Sequence, residues 1–208
     1  MSMESFADEW CHEDPLITAA REHGSGVPGG QATPATGGLL RALALATGAR
    51  AVVQAGGDGG VSSLYLLEGM SPDGILTSIE PLPAVDQVTR DTFRKAGTGH
   101  RVRAITGNTL DVLSRLADRA YDLMVVGANI ADRGEHLQAA RRLLHPGSPV
   151  IFLGVLGREH AVLDPSRRDD QTSTARLFLA EVADDPSLTA TLVPIGTGAL
   201  IAFLFAEE

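Results

Sequence analysis

Ala51-Val52-Val53-Gln54-Ala55-Gly56-Gly57-Asp58-Gly59-Gly60-Val61-Ser62-Ser63-Leu64 runs from a short apolar block through four glycines into a helical pattern. The apolar block predicts a buried strand, the glycines a tight turn, and Val61 onward the first turn of a helix. The first N–H groups of a helix have no partner within it, and a glycine turn lets the backbone pass close to whatever those groups face. This stretch therefore predicts a site for a nucleotide-like ligand at a strand-to-helix turn. No Gly-Lys-Ser or Gly-Lys-Thr follows, which argues against a phosphate-binding loop.

Outward from that turn, strands and helices alternate. Upstream, residues 3 to 23 have helical spacing broken at Asp14-Pro15, Gly24 to Gly30 form a connector, and Pro34 to Ala46 read as a helix capped by Thr33 and stopped at Gly48. Downstream, Val61 to Glu68 form a helix, Ile75 to Glu80 a second strand and residues 83 to 96 an amphipathic helix. Arg101 to Ile105, Tyr121 to Val126 and Pro149 to Leu156 are the next strands, with helices Thr109 to Leu116 and Gly134 to Leu144 between them. After a helix around Ser173 to Ala183, the apolar runs Leu188 to Ile195 and Ala199 to Phe205 flank Gly196-Thr197-Gly198, a hairpin signal. The pattern predicts an α/β fold: a seven-stranded, mostly parallel sheet with helices on both faces and a C-terminal antiparallel hairpin. It reads as a single domain, 1–208, with an N-terminal helical segment (1–30) and a core (33–205).

Composition narrows the function classes. A 208-residue chain with 44% hydrophobic and 21% charged residues buries a core without disulfides, and the single cysteine, Cys11, fits a reducing compartment. The net charge of -9 and the absence of a basic cluster argue against nucleic-acid binding, since Arg167-Arg168 is cancelled by Asp169-Asp170. Acidic residues at the N-terminus and the lack of any long apolar run predict neither an export signal nor a membrane span, hence a cytoplasmic protein.

Glu80 closes the second strand about twenty residues after the glycine turn, where a carboxylate accepts both hydroxyls of a ribose. Further stretches carry a resemblance: Thr33-Pro34-Ala35-Thr36-Gly37, Leu76-Thr77-Ser78-Ile79-Glu80, Ile105 to Leu113, Ala120 to Leu123, Leu143 to Gly147 and Pro194 to Gly198. With the glycine turn, they make the chain resemble the class I S-adenosylmethionine-dependent O-methyltransferases, in particular small bacterial relatives of the catechol and caffeoyl-CoA enzymes. The resemblance implies a Rossmann-like methyltransferase fold, S-adenosylmethionine or S-adenosylhomocysteine as cofactor, a small-molecule acceptor and a homodimer. It implies that Gly56 and Gly60 line the methionine end of the cofactor, Ser62 lies near its carboxylate, Glu80 holds the ribose, and Gly107, Asn108 and Thr109 flank the adenine. The acid usual at the end of the first strand stands as Gln54, and Asp58 in the turn offers a carboxylate that could meet the ligand's ammonium.

The family's divalent metal is held by an Asp closing the fourth strand and an Asp-Asn pair closing the fifth. The matching positions here are Gly127, Leu153 and Gly154, and Ile130 stands where the family has a lysine base. Gly and Leu contribute no side-chain oxygen to a cation that demands oxygen ligands, so no metal is expected. Asn129, Asp132, Glu159 and His160 lie just past the strand ends where open α/β sheets bind ligands, and His160 is the candidate base by its ordinary pKa. Two readings follow: a methyltransferase working without a metal, and a catalytically silent relative that keeps the fold. A nicotinamide-dependent reductase is a third, poorly suited by the final hairpin.

Overall fold

The computed structural model describes residues 1–205; residues 206–208 of the expected domain lie outside the described residues. Its elements are α1 (Met3–Trp10), α2 (Pro15–His23), α3 (Pro34–Ala46), β1 (Ala51–Ala55), α4 (Val61–Gly69), β2 (Ile75–Glu80), α5 (Pro83–Lys95) and β3 (Val102–Thr106). They continue with α6 (Thr109–Leu113), β4 (Leu123–Val126), α7 (Arg133–Leu143), β5 (Pro149–Leu153), α8 (Asp170–Asp184), β6 (Leu188–Val193) and β7 (Ala199–Leu204). The sheet order is β3-β2-β1-β4-β5-β7-β6. The first five strands pair in parallel, and β7 is antiparallel to both β5 and β6. Six strands therefore share one direction, as the spacing predicts.

Alternation along the strands sorts the core into two layers. Val53, Ala55, Met124, Val126, Val150 and Phe152 pack on one face with Leu137 of α7 and Phe178 of α8, where the Phe152 and Phe178 rings meet edge to face at 4.8 Å. Val52, Leu123, Val125 and Ile151 face the other way, onto Leu40 of α3, Tyr65 of α4 and Phe93 of α5. Helix α4 is buried nearly all round, which explains why its sequence shows no polar stripe.

Local chemistry sets the boundaries. Asp14 caps α2 with Pro15 in its first turn, so residues 3 to 23 form two helices. Gly48, in the left-handed region at φ 59°, ends the α3 turn. Several expected elements are longer than the observed ones. Asp122 accepts from the N–H groups of Arg50 and Ala51, which keeps Tyr121 and Asp122 out of β4. Gly154, at φ 71°, turns the chain away after Leu153, and the N–H groups of Val155 and Leu156 then bond to Gly198 and Thr197. Helix α6 ends at Leu113, although Leu116 beyond it is still buried.

The N-terminal segment is tied down through α2. Tyr65 Oη donates to Glu13 at 2.8 Å, and Arg21 pairs with the same carboxylate at 2.5 Å. Burial raises the Glu13 pKa, but these hydrogen bonds and the Arg21 charge outweigh it and hold the group below its ordinary value.

Candidate functional site

The C-terminal ends of β1, β4 and β5 open into a cavity of about 200 Å³. The glycine turn forms its floor (Gln54, Gly56, Gly57, Asp58, Ser62), and Gly127, Ala128, Asn129, Leu153 and Gly154 form one side. Ile195 to Gly198 from the hairpin, residues 29 to 33 leading into α3, and Thr36 of α3 complete the walls. This is the edge of an open α/β sheet at which ligands bind, on either side of the point where the strand order reverses.

The turn is built for close approach. Gly56 has φ 75°, and a Cβ there would lie 2.7 Å from the Ile130 side chain and 2.8 Å from Asn129 Oδ1. Only glycine meets both demands. Gly60 is the N-cap of α4 and has no side chain to offer. Asp58 does the capping instead: Oδ1 accepts from Ser62 N at 3.1 Å and from Ser62 Oγ at 2.8 Å. Its other oxygen accepts from Ala32 N at 3.0 Å, so one carboxylate fastens the connector to the glycine turn. Gln54 Nε2 donates to Ser62 Oγ at 2.7 Å, and Gln54 Oε1 accepts from Ser63 Oγ at 2.6 Å. The residue that replaces the usual acid thus stiffens the turn from below.

Glu80, 1% exposed, closes onto the turn from β2. Its two oxygens accept from Gly57 N at 2.8 Å and Leu82 N at 3.0 Å. Burial nevertheless raises its pKa, against those two hydrogen bonds.

The structure brings the expected cofactor residues together unevenly. Gln54, Gly56, Asp58 and Ser62 line the cavity. Gly60 caps α4 beside them, and Glu80 abuts the turn. Gly107 is joined to Glu80 by a bond from its N–H to the Glu80 carbonyl. Asn108 and Thr109 have other partners: the Asn108 side chain caps α6 by accepting from Asp111 N, and Thr109 Oγ1 lies 2.8 Å from His136 Nε2. His136, 1% exposed, has Nδ1 2.7 Å from the Asp132 carbonyl. A carbonyl only accepts, so Nδ1 carries the proton and Nε2 accepts from Thr109. Burial lowers the His136 pKa.

His160 is placed elsewhere. Its Nε2 lies 3.1 Å from Glu4 Oε1 of α1, and the residue lines neither the cavity nor its extension. Glu159 pairs with Arg167. Of the four candidates past the strand ends, only Asn129 enters the cavity, with Oδ1 buried and without a hydrogen-bond partner.

The residues at the strand ends do not fit a divalent cation. Gly127, Leu153 and Gly154 all line the cavity, and none supplies an oxygen from its side chain. Among the described residues, no cluster of three or more His, Cys, Asp or Glu side chains is placed to hold a metal. A Cβ at position 127 would lie 2.8 Å from the Gly56 carbonyl oxygen, so the backbone itself occupies the space a ligand side chain would need.

Two parts of the site fall where the sequence locates the acceptor pocket, in the N-terminal segment and the loops after the fourth and fifth strands, but on residues it does not single out as site residues. The chain leading into α3 contributes Gln31 and Thr33, α3 contributes Thr36, and Gln31 Nε2 is buried without a partner. A second cavity of about 310 Å³ adjoins the first, sharing Asn129, Gly154 and Arg158 with it, and is lined also by Arg133 and Arg167. The one cue to Arg133 in the sequence is a cation at the start of a helix, where the helix dipole favours an anion.

Similarity to known proteins agrees with this geometry. Residues 13–204 match the O-methyltransferase family model. A protein of Mycobacteroides abscessus, provisionally named an O-methyltransferase, is 40% identical over 202 residues, covering 97% of this chain and 94% of its own. The O-methyltransferase TomG of Streptomyces achromogenes, involved in tomaymycin synthesis and solved in complex with SAM, superposes with a TM-score of 0.85 at 27% identity, covering 99% of this chain and 100% of that one. The cofactor-bound Rv0187 from MTB superposes with a TM-score of 0.87 at 28% identity, covering 98% and 96%. With the seven-stranded sheet, its single antiparallel strand and the glycine-turn cavity, these matches show that the chain belongs to the O-methyltransferase family and has its Rossmann-like fold.

Proposed function

We propose that this protein binds S-adenosylmethionine at the glycine turn and transfers its methyl group to an oxygen of a small hydroxylated acceptor without a divalent cation. The observation that carries the reading is the cavity itself, where the expected Gln54, Gly56, Asp58 and Ser62 lie beside Asn129, whose Oδ1 has no hydrogen-bond partner. An unpaired acceptor beside the glycine turn suits the ammonium of the cofactor's amino-acid end. The cofactor-bound state of two relatives supports the same assignment.

In this reading Gly56 and Gly57 let the cofactor lie against the backbone, Asp58 holds the connector over it, and Glu80 accepts from the ribose hydroxyls with the lone pairs left by its two backbone bonds. Gly107, Asn108 and Thr109 contribute backbone shape beside the adenine, since the Asn108 and Thr109 side chains are engaged within the fold. When bound, S-adenosylmethionine would supply an electrophilic methyl for the acceptor oxygen, with S-adenosylhomocysteine as the leaving group and the hydroxyl proton released to solvent. What the chain adds is alignment of the two partners and exclusion of bulk water, effects that reach several kcal/mol. Apart from Asp58, whose oxygens are engaged by Ser62 and Ala32, no lining side chain of the cavity is a carboxylate, histidine or lysine, which favours acceptors whose hydroxyl is already acidic.

That same absence is the specific observation behind a second reading, a silent relative that binds the cofactor without turnover. Family membership leaves the nicotinamide-reductase alternative without support. Incubation with S-adenosylmethionine and a panel of phenols, with and without magnesium, separates the readings. Formation of S-adenosylhomocysteine independent of magnesium is the expected result. Cofactor binding without product supports the silent form, and magnesium-stimulated turnover overturns the metal-free reading. Pairing of two copies belongs to the same proposal; Met3, Phe6 and Trp10 of α1 stand exposed in the single chain, and light scattering at the dimer mass is the expected result.

A further inference from the structure

Arg133 occupies a position that three separate preferences oppose. It is 7% exposed, although arginine is almost never buried unless paired. It begins α7, whose N-terminal dipole end repels a cation. Among the described residues its guanidinium makes one hydrogen bond, a long one from Nη2 to the Gly154 carbonyl at 3.4 Å, and Nε is buried with no partner. No carboxylate pairs with it among the described residues. Burial alone pulls its pKa down, with no counter-charge opposing it.

The guanidinium lines the second cavity, in company with Arg158 and Arg167. Arg158 is exposed and forms no ion pair among the described residues, while Arg167 reaches Glu159 at 3.3 Å. One acid, Asp169, shares the lining; it accepts from the N–H and hydroxyl of Thr172 and stays charged within reach of Arg167, so three cations face one carboxylate of the lining. In a chain of net charge -9, this recess is therefore a local concentration of cationic donors. It opens into the glycine-turn cavity at Asn129, Gly154 and Arg158, on the side away from the turn.

We propose that Arg133, assisted by Arg158 and Arg167, forms an anion-binding recess beside the cofactor cavity that receives a carboxylate or phosphate carried by the methyl acceptor. The inference rests on the methyltransferase reading for the word acceptor, and on the buried, unpaired guanidinium for the anion. A planar fork of donors fixes such a group through two parallel bonds, which orients the rest of the molecule toward the methyl group. The acceptor class is thus a hydroxylated acid or phosphate ester rather than a neutral phenol.

The test uses the whole protein and Arg133→Met, which keeps the length and loses the charge. Calorimetry first measures S-adenosylhomocysteine binding to both proteins, then, with it bound, titrates inorganic phosphate, benzoate, 3,4-dihydroxybenzoate and the methyl ester of the last. Expected are equal affinities of the two proteins for S-adenosylhomocysteine, binding of at least one anion by the parent at least tenfold tighter than the ester, and loss of that preference in Arg133→Met. Melting temperature supplies a readout a structural role would move the other way. Removing an unpaired buried charge leaves the melting temperature equal or higher, whereas a fall of several degrees marks Arg133 as structural and overturns the proposal. So does the absence of binding by every anion. Weaker S-adenosylhomocysteine binding in the variant would assign the guanidinium to the cofactor's own carboxylate, also overturning it. A parent that binds an anion but not S-adenosylhomocysteine would remove the methyltransferase reading and leave the recess standing.

Discussion

Replacing Asp58 by alanine tests the site at the point where its parts are joined. The substitution removes three bonds at once: the cap on Ser62 N, the acceptor for Ser62 Oγ, and the tether on Ala32 N. A lost cap costs about 1 kcal/mol, and a lost hydrogen bond to a charged group about 1.5 kcal/mol. Leaving the Ser62 hydroxyl proton unpaired in a buried site adds about 1 kcal/mol. Alanine regains part of this by no longer burying a carboxylate, and neighbouring terms do not add fully, so the net loss is about 2 to 3 kcal/mol. With a urea slope of about 2.5 kcal/mol per M for a chain of this size, the unfolding midpoint falls by about 1 M. Far-UV circular dichroism is the assay, because the only tryptophan, Trp10, is 73% exposed and reports little on the core. Asp58→Asn keeps an oxygen for the cap but sets an amide N–H₂ against Ala32 N, and recovers about 1 kcal/mol. Loosening residues 29 to 36 also weakens S-adenosylhomocysteine binding at least tenfold in Asp58→Ala. A midpoint shift below about 0.3 M, with unchanged ligand affinity, would refute the claim that this carboxylate joins the connector to the turn.

Three further outcomes follow from the packing. Gly37→Ala in α3 gains about 1 kcal/mol of helix propensity, but its Cβ would fall inside the Tyr65 ring; overpacking of this kind costs about 1 to 3 kcal/mol or more, so a urea midpoint above the parent's would contradict the close α3–α4 contact. Gly127→Ala meets the Gly56 carbonyl oxygen at 2.8 Å and loses about 1 to 3 kcal/mol; an unchanged midpoint would mean that position 127 has room for a ligand side chain after all. His136 is held neutral by burial, its folded pKa lying below the ordinary 6.5. The unfolded chain therefore binds the extra proton first, and stability present above pH 6.5 is lost as pH falls toward and through the depressed folded value. Urea midpoints measured from pH 7.5 downward fall more steeply for the parent than for His136→Gln, and parallel curves would show that the imidazole titrates alike in both states.

The glycine turn, the strand alternation and the final hairpin were legible because each depends on residues close in sequence. Gly56 and Gly60 announce left-handed backbone, and Gly196-Thr197-Gly198 announces a reversal, whatever surrounds them. The spent side chains were not legible. Thr109 is satisfied by His136 and Asp58 by Ala32, pairings across 27 and 26 residues that no periodicity encodes. His160 looked like a base from its pKa and its place past a strand end, yet Glu159 and His160 both adopt positive φ, and the chain there turns the imidazole toward α1. Arg133 was hidden for the opposite reason: a single arginine beside Asp132 reads as an ordinary solvated pair, and only burial shows that the pair does not form.

The strand order has a consequence for how the molecule is made. Strand β6 pairs only with β7, and β7 alone connects it to β5. During synthesis β6 emerges first but has nothing to dock on until β7 has inserted beside β5. Ile195 to Gly198, between them, form a wall of the glycine-turn cavity. The binding cavity therefore gains this wall only when the β6–β7 hairpin docks on β5, so closing the site and completing the sheet are one event.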